Sequence, residues 1–246
     1  MNSPAPSVIM AFLMAFPVFD PRSFRLLVFD WDGTLMDSIG SIVACTRTVM
    51  DELGLGGGVS NDTIRGTIGL GLRETVDILC PGSGDDVFSS ILESYRKHWV
   101  ATWRDRPVLF KGVRESLEEL AEDGYLLAVA TGKTRRGLEH AMAQTGLSGL
   151  FHMTRTVDEA FSKPHPQMLL DILEELGVRP QAAVMIGDTT YDLEMARNAG
   201  TAAVGVCSGS HCREELQSLE PLACLERVVE VRGWLAAQRE PAPVLS

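Results

Sequence analysis

The sequence predicts an α/β protein in which a doubly wound parallel sheet carries an inserted α-helical segment, and three observations lead there. After residue 107, short apolar runs alternate with stretches of helical periodicity, the pattern of a parallel sheet with helices on both faces. Three short apolar runs lead into an acid or a hydroxyl, one before that point at Asp30 and two after it at Thr131 and Asp188. Between residues 38 and 106 the helical pattern continues without β-branched alternating runs, so this block reads as a small helical domain set into the chain.

The elements follow in order. Residues 25–30 (RLLVFD) are a short apolar run ending in an acid, as in a strand buried on both faces. Asp32-Gly33-Thr34 makes a tight polar turn, and 38–53 has apolar residues at helical spacing, stopped by the glycines of 54–58. Helical segments are expected at 61–68, with Asn61 or Asp62 as its cap, at 72–79 and at 85–103. Then come helix 113–122, strand 125–130, helix 135–144, strand 153–156, helix 166–176, strand 183–186, helix 191–198 and strand 202–206. The expected domains are an N-terminal extension at 1–24, a core of 25–37 plus 107–240, the helical insert at 38–106 and a tail at 241–246.

The 246 residues are 45% hydrophobic and 22% charged, enough apolar material for a sizeable core. A net charge of -11 repels polyanions and argues against nucleic acid and anionic membranes as partners. A small phosphorylated substrate stays compatible, because a metal and a few lysines reverse the field within one pocket. The five cysteines form no CxxC, and Cys207, His211 and Cys212 are too few to close a zinc shell, so they read as ordinary reduced thiols. The apolar stretch 8–19 is too short to span a bilayer and lacks a basic leader, which leaves a cytoplasmic location as the expectation. The five histidines show no ligand spacing, and Trp99 and Trp103, four apart, suit helix packing.

In open α/β sheets ligands bind at the carboxyl ends of the strands. Here those ends deliver Asp30 and Asp32, Thr131, and Asp188 followed one turn on by Asp192, with Lys163 in a nearby loop. Two carboxylates about 4 Å apart repel by roughly 4 kcal/mol at an effective dielectric near 20. Asp30, Asp32 and Asp188 therefore hold extra protons or bind a cation. Hard oxygen donors without histidine or thiolate select magnesium over zinc. Lys163 and Thr131 supply a point charge and a hydroxyl suited to a phosphoryl group. Residues two apart in extended chain face the same side, so one acid of Asp30 and Asp32 can attack phosphorus while the other exchanges a proton with the leaving oxygen.

These segments resemble the haloacid dehalogenase superfamily, in its phosphoglycolate-phosphatase-like branch. DWDGTLMDS at 30–38 is similar to the motif bearing nucleophile and acid/base, ATGK at 130–133 to that bearing the phosphate-binding hydroxyl, SKPHP at 162–166 to that bearing the lysine, and GDTTYD at 187–192 to the metal motif. The resemblance implies a Rossmann-like core and a helical cap at about 38–106. It also implies Mg2+ held by Asp30, Asp188 and the main-chain carbonyl of Asp32, with Gly33, Gly132 and Asp192 supporting. IGLGLRE at 68–74 resembles a substrate-facing cap loop, with Gly69, Gly71 and Arg73 as contact candidates. Gly132 stands where the family often has asparagine, and Trp31 where a smaller residue is usual.

The expected activity is a phosphatase acting on a small phosphorylated metabolite, 2-phosphoglycolate or a sugar phosphate, through an aspartyl-phosphate, in a monomer or homodimer. A phosphosugar mutase similar to β-phosphoglucomutase uses the same residues. A phospho-accepting receiver domain is about half this length and lacks an acid at nucleophile +2.

Overall fold

The computed structural model describes residues 19–102 and 108–239. The apolar stretch up to Pro17, Trp103 and the tail 241–246 lie outside them. Six strands form one parallel sheet: β1 (Leu26–Phe29), β2 (Leu126–Thr131), β3 (Met153–Thr156), β4 (Ala183–Gly187), β5 (Ala202–Val206) and β6 (Ala223–Leu225), in spatial order β3-β2-β1-β4-β5-β6. The direction of winding reverses between β1 and β4, the switch point at which doubly wound sheets place their ligands.

Period-two alternation puts the apolar residues of β1 to work on both faces. Leu27 and Phe29 pack with Leu117 and Leu120 of α5 (Val113–Glu122), Leu138 of α6 (Arg135–Thr145) and Leu235 of α10 (Val231–Arg239). Leu26 and Val28 pack with Met168 and Ile172 of α7 (Gln167–Glu175) and Met195 of α8 (Thr190–Ala199). Each such burial contributes about 1.5–3 kcal/mol. Register does the rest: Phe29 pairs with Val129 and Ile186, so Asp30, Thr131 and Asp188 leave adjacent strands within one residue of the same level.

Four helices lie between the two halves of the core: α1 (Ile39–Glu52), α2 (Asn61–Arg65), α3 (Leu72–Leu79) and α4 (Asp85–Thr102). They pack around their own clusters, Val49 with Val76 and Ile91, and Met50 with Ile64 and Leu79. The chain leaves and re-enters the core side by side, with Asp37 N donating to Val108 O at 2.8 Å.

Several expectations need correction. α2 ends at Arg65, where Gly66 follows, and its cap is Ser60, whose Oγ accepts from Thr63 N at 3.0 Å, rather than Asn61 or Asp62. Phe24, assigned from sequence to an extension, is buried in the core cluster beside β1. The sequence reading also stopped at Val206 and missed α9 (Arg213–Gln217), β6 and α10. β6 is three half-buried residues at the sheet edge, too short to show alternation, and α10 buries only Val231 and Leu235. Trp31 faces away from the acids, as its place one residue after Asp30 requires. It is fully buried against Phe151, and its Nε1 donates to Met36 Sδ at 3.3 Å.

Candidate active site

At the carboxyl edge of β1 and β4 three buried acids converge: Asp30, Asp188 and Asp192 offer oxygens that lie within 4.8 Å of one another. Lys163 enters from the loop before α7. Its ammonium is fully buried, 2.5 Å from Asp30 Oδ1 and 2.6 Å from Asp192 Oδ1. Both contacts are ion pairs that hold the ammonium between the two carboxylates. Asp192 is fixed by α8 itself: Thr189 caps the helix, and both its N–H and its hydroxyl donate to Asp192 Oδ2, at 3.1 and 2.7 Å. Asp188 accepts from Thr34 Oγ1 and from Ser210 N, each at 2.8 Å. Glycine is required around this carboxylate. Gly33 turns at a φ of +84°, and a Cβ on Gly33 or Gly209 would overlap the Asp188 side chain.

The electrostatics follow from burial. Three carboxylates share one ammonium, so negative charge is in excess. Burial pushes the Asp30 carboxyl well above the usual carboxylate range; Lys163 opposes this, and Asp192 and Asp188 reinforce it. Burial, then Asp192, raises Asp188 to about 7 against the Ser210 N–H and Thr34 hydroxyl. Burial also disfavours the Lys163 ammonium, but Asp192 and Asp30 outweigh it and hold the group above its ordinary value. Asp30 Oδ2 is buried without a hydrogen-bond partner among the described residues. An unpartnered carboxylate oxygen in an all-oxygen group with surplus negative charge fits a hard divalent cation.

Asp32 faces elsewhere. Its Oδ1 accepts from Ser38 Oγ at 2.5 Å and pairs with Lys133 Nζ at 3.0 Å, so its side chain is not among the three clustered carboxylates. Thr131 is buried at the end of β2, its hydroxyl accepting from Lys133 N at 3.2 Å.

Asp30, Asp32 and Thr131 open into a cleft of about 710 Å³ between the sheet edge and the four-helix segment. The segment from Gly66 to residue 74 reaches the core: Gly71 N donates to Ser162 Oγ at 2.8 Å, and Tyr191 OH to Gly66 O at 2.8 Å. Gly132 lies directly beneath it. A Cβ there would stand 2.7 Å from Leu70 O and 2.9 Å from Gly69 O, nearer than side-chain carbons approach backbone oxygens. Of the loop candidates, Gly69 lines the cleft, and Gly71 instead anchors the loop to Ser162. Arg73 is not brought to the cleft, because it pairs with Asp85 and lies 4.5 Å over the Phe88 ring.

Sequence reasoning missed several participants. The sequence leaves Lys133 open between contact with substrate and a solvated helix start, and its side chain is largely buried against Asp32. His140 lines the cleft, and Gly209 with Ser210 forms the wall behind Asp188. The SGS run at 208–210, just past β5, was the available signal. The five cysteines are free, and His211 Nδ1 accepts from Thr190 N at 3.0 Å. Among the described residues no helix is long and apolar enough to cross a membrane.

Residues 27–206 match the family model described as haloacid dehalogenase-like hydrolase. The chain is 35% identical over 216 residues to "Probable phosphatase IndB" of Dickeya dadantii, covering 85% of this chain and 92% of that one. It is 27% identical over 219 residues to a phosphoglycolate phosphatase of Nitrosococcus oceani, covering 86% and 96%. Among solved structures, a haloacid dehalogenase-like family hydrolase of Streptococcus pneumoniae superposes with a TM-score of 0.74 at 25% identity, covering 86% of this chain and 98% of that one.

Proposed function

This chain belongs to the haloacid dehalogenase-like hydrolases, and from that we propose that it is a Mg2+-dependent phosphomonoester hydrolase working through an aspartyl-phosphate on Asp30. The observation that carries the reading is Asp30 itself: one oxygen is held by a buried lysine, the other is unpartnered, and two further buried acids stand beside it.

An Asp30 oxygen forms a bond to phosphorus as the ester P–O bond breaks, and the leaving oxygen takes the Asp32 proton to give an alcohol. Asp32 then takes a proton from water, the water oxygen attacks phosphorus, and the P–Oδ bond breaks to release phosphate and regenerate Asp30. Lys163 neutralises the nucleophile and the phosphoryl oxygens, and Thr131 orients the phosphoryl group. Asp30, Asp188 and the Asp32 carbonyl would hold Mg2+, which when bound offsets the surplus charge and polarises the phosphoryl oxygen. Asp192 positions Lys163. The helical segment acts as a cap whose 68–71 loop closes the site against water.

The test is steady turnover of p-nitrophenyl phosphate with Mg2+, with and without EDTA, in wild type and Asp30→Asn. We expect continuous phosphate release that EDTA stops and a loss of at least about 1,000-fold in the variant. Normal turnover by Asp30→Asn would exclude the covalent route, and a stable phosphoprotein without release would point to transfer or signalling.

A further inference from the structure

We infer that the leaving group of the substrate is a planar aromatic ring system, uncharged or anionic, bound on the inner face of α4. The inference rests on the phosphatase reading and specifies its substrate class.

α4 presents Leu92, Tyr95, Arg96, Trp99 and Val100 to the cleft, residues at the 3–4–7–8 spacing of one helical face. Such a stripe normally belongs to a core, and Tyr95 does pack with Ile91 in the cluster beneath α4, but Leu92, Trp99 and Val100 stand outside that cluster and line the cleft. Val100 stays 48% exposed at the rim of the open cleft. Tyr95 and Trp99 stack with ring centroids 5.8 Å apart and planes 8° from parallel. Lys133 ties this aromatic wall to the chemistry, its ammonium 3.0 Å from Asp32 Oδ1 and 5.5 Å from the Trp99 ring centroid.

The proton-exchanging acid thus fixes where the leaving oxygen sits, and the next atoms of the substrate must enter the space beside Lys133, Trp99 and Tyr95. At about 710 Å³ that space is within the roughly 300–1,000 Å³ of sites for drug-sized ligands and far exceeds the needs of a two-carbon acid. Aromatic walls favour an aromatic occupant through stacking and apolar burial. Of the charged groups lining the space, Lys133 is paired with Asp32 and Asp30 with Lys163, so away from the reacting acids Arg96 and Arg136 face the ring and disfavour a cationic one. Asp158 at the rim is already engaged by Arg135 N and the Thr156 hydroxyl.

The test compares kcat/KM for phosphate esters of primary alcohols: benzyl phosphate, its 4-carboxy and 4-aminomethyl forms, glycerol 3-phosphate and 2-phosphoglycolate. We expect benzyl and 4-carboxybenzyl phosphate to exceed the two small esters by about 10- to 100-fold, and the 4-aminomethyl form to trail its carboxy counterpart. In Trp99→Ala the aromatic-to-small ratio should fall toward one, whereas Trp99→Phe should keep most of it; a purely structural role would lower all substrates together and leave the ratio intact. Equal or better use of the small esters by wild type, or an unchanged ratio in Trp99→Ala, overturns the inference while leaving the phosphatase reading standing. Failure to hydrolyse any ester, p-nitrophenyl phosphate included, overturns both.

Discussion

Replacing Asp188 with asparagine should stabilise the metal-free protein at neutral and alkaline pH. The folded protein raises this carboxyl from 3.8 to about 7, because burial and the neighbouring Asp192 charge penalise its ionised form. An acid with a raised folded pKa binds more protons folded than unfolded. Its penalty is therefore absent below about pH 4, grows as pH rises through the window between the two values, and is constant above it. A shift of that size corresponds to a cost on the order of a few kcal/mol, since each unit is about 1.4 kcal/mol. Asparagine removes the charge and keeps the hydrogen bonds: its carbonyl can accept from Ser210 N while its amide donates to Thr34 Oγ1. Gly33 and Gly209 leave room for a side chain of this shape and nothing larger. In a domain of this size about 1 kcal/mol moves the midpoint by roughly 2–4 °C. Thermal melts in EDTA should thus show Asp188→Asn several degrees above wild type at pH 8 and level with it near pH 4. Added Mg2+ should raise wild type and leave the variant unmoved. A pH-independent difference, or a variant less stable at pH 8, would refute the charge-excess account.

Three further outcomes follow from the same geometry. Lys163→Met removes the ammonium shared by Asp30 and Asp192 and should destabilise the metal-free protein by about 3–5 kcal/mol in denaturant titration. Gly132→Ala places a methyl against the carbonyls of Gly69 and Leu70, so the loop must retreat at a cost of about 1–3 kcal/mol, read as a fall of roughly 10- to 100-fold in kcat/KM. Ser60→Ala deletes the α2 cap and should cost about 1 kcal/mol in stability, with kcat for p-nitrophenyl phosphate changed less than about twofold.

Much of this was legible in the sequence because its determinants are local. Strand β1 is readable from an unbroken apolar run, and Gly177 and Gly200 mark the ends of α7 and α8. Asp30, Thr131 and Asp188 could be placed at one edge because strand ends are written in the sequence, while their common level needed the register. The elements after Val206 were hidden, since a three-residue edge strand carries no period. The tertiary roles were hidden too: nothing local tells that Lys133 folds back on Asp32, that Gly209 seals Asp188, or that Arg73 is engaged by Asp85. Asp192 was placed by helical spacing, but its hold on Lys163 required the two loops to meet.

The fit between Gly132 and the carbonyls above it also bears on how this chain can change over evolutionary time. A side chain at 132 is admissible only once the 68–71 loop has shifted, and such a shift would disturb the Gly71–Ser162 and Tyr191–Gly66 contacts. The order of substitutions is therefore constrained: the loop must drift first, and the strand-end glycine can be replaced only afterwards. A variant that carries a side chain at 132 with the 68–71 loop unchanged should therefore be less active than one in which the loop has also moved.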